Sequence, residues 1–179
     1  MFTGKTLSNG FGQLAATHGV FVVPTLSVLF AACGESDGPS LLADPNLGPY
    51  VLPMWRAGLE RPWALSEPPS CRATRLGMTD LIRAKVPILA GTDAPVPGTT
   101  CGASLHGELA LLVDVGLSPL AALAGATSAP ADAFGLDDRG RIREGMRADL
   151  LLVEGAPTCD IRKTRDIRAI WKRGVGVDR

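Results

Sequence analysis

Two apolar runs that do not alternate constrain this chain more than any other feature. Residues 20–25 (Val20, Phe21, Val22, Val23, Pro24, Thr25) and residues 86–93 (Val86, Pro87, Ile88, Leu89, Ala90, Gly91, Thr92, Asp93) are short and rich in aliphatic side chains. A strand of that texture has to be covered on both faces, as in a parallel sheet flanked by helices. The segment between the runs carries Pro39, Pro45, Pro49, Pro53, Pro62, Pro68 and Pro69. That spacing rules out one continuous helix and predicts an elaborated loop.

Helix signals surround the runs. Residues 7–18 read as a helix closed by Gly19, and residues 75–85 as one with Leu76, Leu81 and Ile82 inward. Ser104 can cap a helix with Leu105, Leu109, Leu112 and Val113 on its apolar face, ended by Gly116. Ser118-Pro119 opens the next helix in the cap-then-proline order, and a short third one runs from Ser128 to Gly135. Beyond Leu136 the texture changes. Residues 150–153 read as a strand, and residues 167–171 pair with 175–177 across Lys172-Arg173-Gly174 as a hairpin. The expected class is α/β, with one unit over residues 1–135 and a small β segment over residues 136–179.

Composition narrows the function classes. Of 179 residues, 46% are hydrophobic, and 18 basic residues balance 18 acidic ones. Zero net charge without a basic run excludes the electrostatic footprint of a nucleic-acid binder. The longest apolar stretch, residues 20–32, is interrupted by Pro24, Thr25 and Ser27 and falls well short of the ~20 residues a spanning helix needs. Leu29-Phe30-Ala31-Ala32-Cys33 resembles a lipoprotein cleavage box, but Lys5 is the only early cation, and a polar stretch with Asn9, Gln13 and His18 separates it from the apolar run. Cys33, Cys71, Cys101 and Cys159 are scattered without a C-x-x-C pair, as unpaired thiols of a cytoplasmic protein would be.

Asp93 is the sharpest candidate for chemistry. A carboxylate just past a buried strand, in Gly91-Thr92-Asp93-Ala94-Pro95, stands where parallel-sheet enzymes build their sites. It could ligate a divalent metal or take a proton from water. It could equally cap the following turn, and the pattern leaves both readings open. His18 reads as a helix-end residue, and His106 either as a helix-start residue or as part of the same loop cluster. Glu108 and Asp114 read as solvated helix-face carboxylates, Asp149 as a partner of loop amides, and Cys101 as a plain loop thiol. A metal centre needs three or four protein ligands. One placed carboxylate and no His-x-His pair do not supply them.

The ordered motifs resemble the last part of an amidohydrolase, nearest to the imidazolonepropionase-like metal-dependent hydrolases. They are Val22-Val23-Pro24-Thr25-Leu26, Pro87-Ile88-Leu89-Ala90-Gly91-Thr92-Asp93-Ala94, Ser104-Leu105-His106-Gly107-Glu108-Leu109 and Gly116-Leu117-Ser118-Pro119. Ala126-Thr127-Ser128-Ala129-Pro130, Gly140-Arg141-Ile142-Arg143-Glu144-Gly145 and Trp171-Lys172-Arg173-Gly174 continue the series. Two departures stand out. Residues 1–12 fit poorly, and Cys101 stands where relatives often carry a histidine.

The resemblance implies the carboxyl-terminal part of a (β/α)8 TIM-type barrel, with residues 20–25 as strand seven and 86–92 as strand eight, followed by strands of a small β-sandwich. Asp93 would be both metal ligand and catalytic base, with Thr25 and His106 lining the substrate. The cofactor implied is a divalent metal, Zn first and Mn or Fe next, in a site incomplete within this chain. The reaction implied is hydrolysis of a C–N bond in a small-molecule amide or cyclic amide, with the segment from Leu26 to Arg75 shaping the substrate. A lone fragment of such a barrel would be weakly active or inactive and would pair with another copy, pair with a separately encoded amino-terminal half, or aggregate. The alternative is a non-catalytic remnant or assembly domain that keeps the fold.

Overall fold

The first apolar run and the second lie side by side and parallel, as their texture requires. In the computed structural model, which describes residues 5–61, 63 and 65–178, Val22 pairs with Ile88 in a parallel bridge. The Val22 amide donates to the Pro87 carbonyl and the Leu89 amide to the Val22 carbonyl, both at 2.9 Å. The ladder stops there for a covalent reason. Its next donor in one direction is the nitrogen of Pro24, and in the other the nitrogen of Pro87, and neither carries a hydrogen. The two runs are therefore extended neighbours joined at one rung, where uninterrupted strands were expected. Gly91 keeps them close, because a Cβ there would collide with the Val23 side chain.

Coverage of the runs is unequal. Val86, Ile88 and Leu89 are buried, whereas Val20, Phe21 and Val23 are 43%, 38% and 41% exposed. The expectation that both faces are covered holds for Ile88 and Leu89 of the second run, where Pro87 is exposed, and fails for the first. Phe21 finds an edge-to-face partner in Phe134, ring centroids 5.4 Å apart.

Helix α1, Phe11–Thr17, starts later than expected because Gly10 turns the chain at φ 77°, and Gly19 at φ 61° ends it. The region read as a loop holds helices. Helix α2, Leu26–Ala32, is buried along its whole length. Helix α3, Gly38–Ala43, a 3-10 turn, Gly48–Tyr50, and helix α4, Pro53–Glu60, follow. Pro39, Pro49 and Pro53 sit in the first turn of these elements, where no amide hydrogen is required. The prolines start short helices there. Leu41, Leu47, Val51, Leu59 and Ala103 make a second, smaller core.

Helix α5, Cys71–Arg83, begins earlier than the pattern suggested, with the Ser70 hydroxyl accepting from the Ala73 amide at 3.1 Å. Its buried face is Ala73, Thr74, Gly77, Met78 and Leu81, and Leu76, expected inward, is 53% exposed. Cys33 at the end of α2 and Cys71 at the start of α5 form a disulfide, with Cα atoms 5.6 Å apart. The reading of all cysteines as unpaired thiols is thus wrong for this pair. Cys101 and Cys159 are free and exposed.

Helix α6, Ala103–Asp114, is preceded by Gly102 as cap; Ser104 is buried, its hydroxyl accepting from the Thr100 amide at 2.8 Å. Helix α7, Pro119–Ala126, opens on a Ser118 hydroxyl that accepts from Ala121, and helix α8, Ser128–Ala133, ends at Gly135, as read from the sequence. The main core joins α2, α5, α6 and α7 through Leu26, Phe30, Met78, Leu81, Leu112 and Ala122.

The carboxyl-terminal sheet has strand β1, Leu150–Val153, strand β2, Ile167–Lys172, and strand β3, Val175–Gly176, antiparallel in the order β1-β2-β3. Arg173 and Gly174, at φ 53° and 79°, supply the left-handed pair of a two-residue hairpin turn. A 3-10 turn, Ile161–Arg165, fastens this segment to α6: Ile161 enters the main core, and Arg162 lies 3.7 Å from Asp114.

Candidate functional site

Asp93 closes the second run, four residues beyond Leu89, the last residue bonded to the first run, on a left-handed backbone at φ 55°. Thr25 stands at the end of the first run, also left-handed at φ 51°, and serves as the N-terminal cap position of α2. Positive φ at a non-glycine residue costs free energy, and a β-branched threonine feels it most. Both parallel runs thus leave the sheet through a strained residue at their carboxyl ends.

The Asp93 side chain is exposed, and no hydrogen bond or ion pair ties its carboxylate to any described residue. The turn-capping role that the sequence left open belongs instead to Thr92, whose hydroxyl accepts from the Ala94 amide at 3.3 Å. A cis peptide joins Ala94 to Pro95. Farther on, Gly98 donates to the Gly58 carbonyl at 2.9 Å, fixing the loop after Asp93 against α4.

Glu108 corrects the sequence reading. Expected on a solvated helix face, it is fully buried: Oε1 accepts from the Leu26 amide at 3.0 Å and Oε2 from the Ser27 amide at 2.7 Å. It thereby satisfies the first turn of α2, directly after strained Thr25. Burial pushes its carboxyl up to about 7, against the opposing pull of the Ser27 and Leu26 hydrogen bonds. Asp37 lies close by, its carboxylate packed so near Gly107 that a Cβ there would collide with it. Desolvation raises the Asp37 carboxyl as well, outweighing the attraction of Arg165. The signal for Glu108 was present in the spacing: Ser104, Glu108 and Leu112 recur every fourth residue and share the buried face of α6.

His106 is half-buried and its Nδ1 lies 3.0 Å from the Thr164 hydroxyl, so it joins α6 to the carboxyl-terminal segment. No hydrogen bond or ion pair links Asp93, Thr25 and His106 to one another among the described residues. His18 is the last residue of the α1 turn, as read. Asp149 accepts from the Arg173 amide at 2.7 Å and pairs with Arg147, and these contacts, the amide first, hold its carboxyl below the usual range. Asp114 is exposed, as read, with Arg162 beside it.

A divalent cation does not fit this chain by itself. Among the described residues, no group of three or more His, Cys, Asp or Glu side chains could hold one. Asp93 offers a single carboxylate.

Comparison with known proteins places this geometry. The family model described as "Amidohydrolase family" matches residues 8–176. Residues 8–12, which fitted the motif series poorly, lie inside that match. The chain is similar to an adenine deaminase of Methylobacterium sp. (strain 4-46), 39% identical over 59 residues, covering 33% of the chain and 10% of that protein. It is also similar to an imidazolonepropionase of Ruegeria pomeroyi, 29% identical over 175 residues, covering 96% of the chain and 39% of that protein. A crystal structure of an amidohydrolase superposes with a TM-score of 0.66 at 24% identity, covering 96% of the chain and 37% of its own length. The chain thus spans well under half the length of these relatives.

Proposed function

Since the chain belongs to the amidohydrolase family, we propose that it is the carboxyl-terminal part of a (β/α)8 barrel enzyme that hydrolyses a C–N bond in a small-molecule amide or cyclic amide. In this reading the two parallel runs are barrel strands seven and eight, residues 1–135 belong to the barrel, and residues 136–179 contribute to a β-sandwich. The relatives' names point to C–N chemistry, since one is a deaminase and another an imidazolonepropionase.

A single observation carries the reading. Asp93 has an unengaged, exposed carboxylate at the carboxyl end of a buried parallel run, where barrel enzymes place reacting groups. There it acts as general base, accepting a proton from the attacking water and passing it to the leaving nitrogen. Thr25 borders the same edge, and His106 is the further lining candidate. Amidohydrolases generally use divalent metals. We assign Asp93 as this chain's one ligand to such an ion, Zn in first place, and derive no catalytic step through it.

The exposed Val20, Phe21 and Val23 mark a face that a second copy or an amino-terminal half would cover. The isolated chain is accordingly inactive in this account. Residence in the cytoplasm is part of the proposal, and the Cys33–Cys71 disulfide speaks against it, since such bonds persist mainly in oxidising compartments. The alternative, a non-catalytic remnant or assembly domain, is favoured by one fact: the described residues contain no complete ligand group.

Co-expression with the amino-terminal part of the Ruegeria pomeroyi imidazolonepropionase tests the reading. The complex should hydrolyse a cyclic amide, and Asp93→Asn should lower turnover by about a hundredfold or more, the scale of a lost general base. An assembled complex whose turnover survives Asp93→Asn would eliminate Asp93 as the base.

A further inference from the structure

A cavity of about 480 Å³ opens between α4 and the loop that follows Asp93, within the roughly 300–1,000 Å³ of small-molecule sites. Met54, Trp55, Arg61 and Trp63 form one wall, and Pro95 and Pro97 belong to the other. The walls are held together by the Gly98 amide bonded to the Gly58 carbonyl. Its lining is unusual for this chain, which has only 3 Trp in 179 residues and places two of them here.

The charge is as informative as the shape. Among the described residues no carboxylate lines the cavity, and Arg61 is the charged side chain in its lining. Arg56, five residues earlier, commits its guanidinium to the Gly48 carbonyl at 2.8 Å. Arg61 makes no hydrogen bond or ion pair with any described residue, so its donor fork is available to an incoming anion.

We propose that this cavity is the specificity pocket of the site and that it takes substrates pairing a flat apolar group with a carboxylate. The apolar group lies against the tryptophan and proline surfaces, and the carboxylate pairs with Arg61. That assignment rests on the reading of Asp93 given above: Pro95, two residues after Asp93 in the same loop, lines the pocket.

Binding can be read without turnover, which separates this proposal from that reading. The probes are 3-phenylpropionate and its neutral amide, 3-phenylpropionamide, titrated by tryptophan fluorescence into the full chain carrying Trp171→Phe, so that Trp55 and Trp63 report. The acid should bind saturably and about tenfold or more tighter than the amide, the scale of one charge-assisted contact. Arg61→Gln, a change at an exposed position, should bring the acid down to the amide's affinity while leaving the circular dichroism spectrum unchanged. Asp93→Asn should leave probe binding intact, whatever it does to hydrolysis. Absence of a saturable signal, equal affinities for the two probes, or an acid preference that persists in Arg61→Gln would each overturn the proposal.

Discussion

Replacing Glu108 by Gln should flatten the pH dependence of stability. The carboxyl titrates at about 7 in the folded chain against an ordinary 4.5, so between those values the folded state holds a proton that the unfolded state releases. Stability therefore falls as pH rises through this window, and the gap corresponds to about 3 kcal/mol. Asp37, also raised by burial, adds a smaller loss of the same sign that begins at lower pH. The substituted amide cannot titrate. Its carbonyl accepts one of the Leu26 and Ser27 amides, while its NH2 group meets the other and leaves a buried donor unsatisfied, at about 1–3 kcal/mol. The variant should be less stable than the parent at pH 5, and the two should converge by pH 8. Urea denaturation followed by circular dichroism, at one chain concentration and at pH 5, 6, 7 and 8, measures both curves. Parallel curves over that range would refute the argument, because they would place the Glu108 proton outside the stability balance.

Three other outcomes follow from the same geometry. Ser70→Ala removes the side-chain cap of α5 and should cost about 1 kcal/mol in the same urea assay. Replacing Cys33 and Cys71 together by Ser opens a cross-link spanning a separation of 38 residues and should cost up to about 4 kcal/mol, with a non-reducing peptide map of the parent showing the two cysteine peptides joined. Asp93→Asn should leave stability within about 0.5 kcal/mol of the parent, because its exposed carboxylate holds none of the described residues.

Much of the fold was written locally. Ser118-Pro119, Arg173-Gly174 and the apolar strand at residues 150–153 each carry their instruction within a few residues, and the helix, turn and strand they specify are present. The parallel neighbourhood of residues 20–25 and 86–93 was legible from texture, but the length of the ladder was not. Its end depends on Pro24 and Pro87 standing in adjacent hydrogen-bonding positions, a fact of register that neither run contains alone. The helices between Leu26 and Glu60 were hidden because proline was read as a breaker where it occupies first turns. Glu108 was misplaced because charge outweighed spacing, and its partners at Leu26 and Ser27 are remote in sequence. The disulfide between Cys33 and Cys71 was equally invisible, since nothing in either neighbourhood names the other.

For the candidate site, sequence position alone marked Asp93, and the geometry adds that Thr92 takes over the turn amide and leaves the carboxylate unengaged. The pocket beside it could not be foreseen. Trp55 and Trp63 come to Pro95 and Pro97 only through the packing of α4 on the following loop.

The central claim is that Asp93 completes a metal centre whose other ligands come from outside this chain. Elemental analysis tests it most directly, comparing the chain alone, the co-expressed complex with the amino-terminal barrel part, and that complex carrying Asp93→Asn. The account predicts little bound metal in the chain alone, about one tightly held divalent ion per complex, and a marked loss of that ion in the variant. Stoichiometric metal in the chain alone, or an Asp93→Asn complex that retains its full complement, would contradict it.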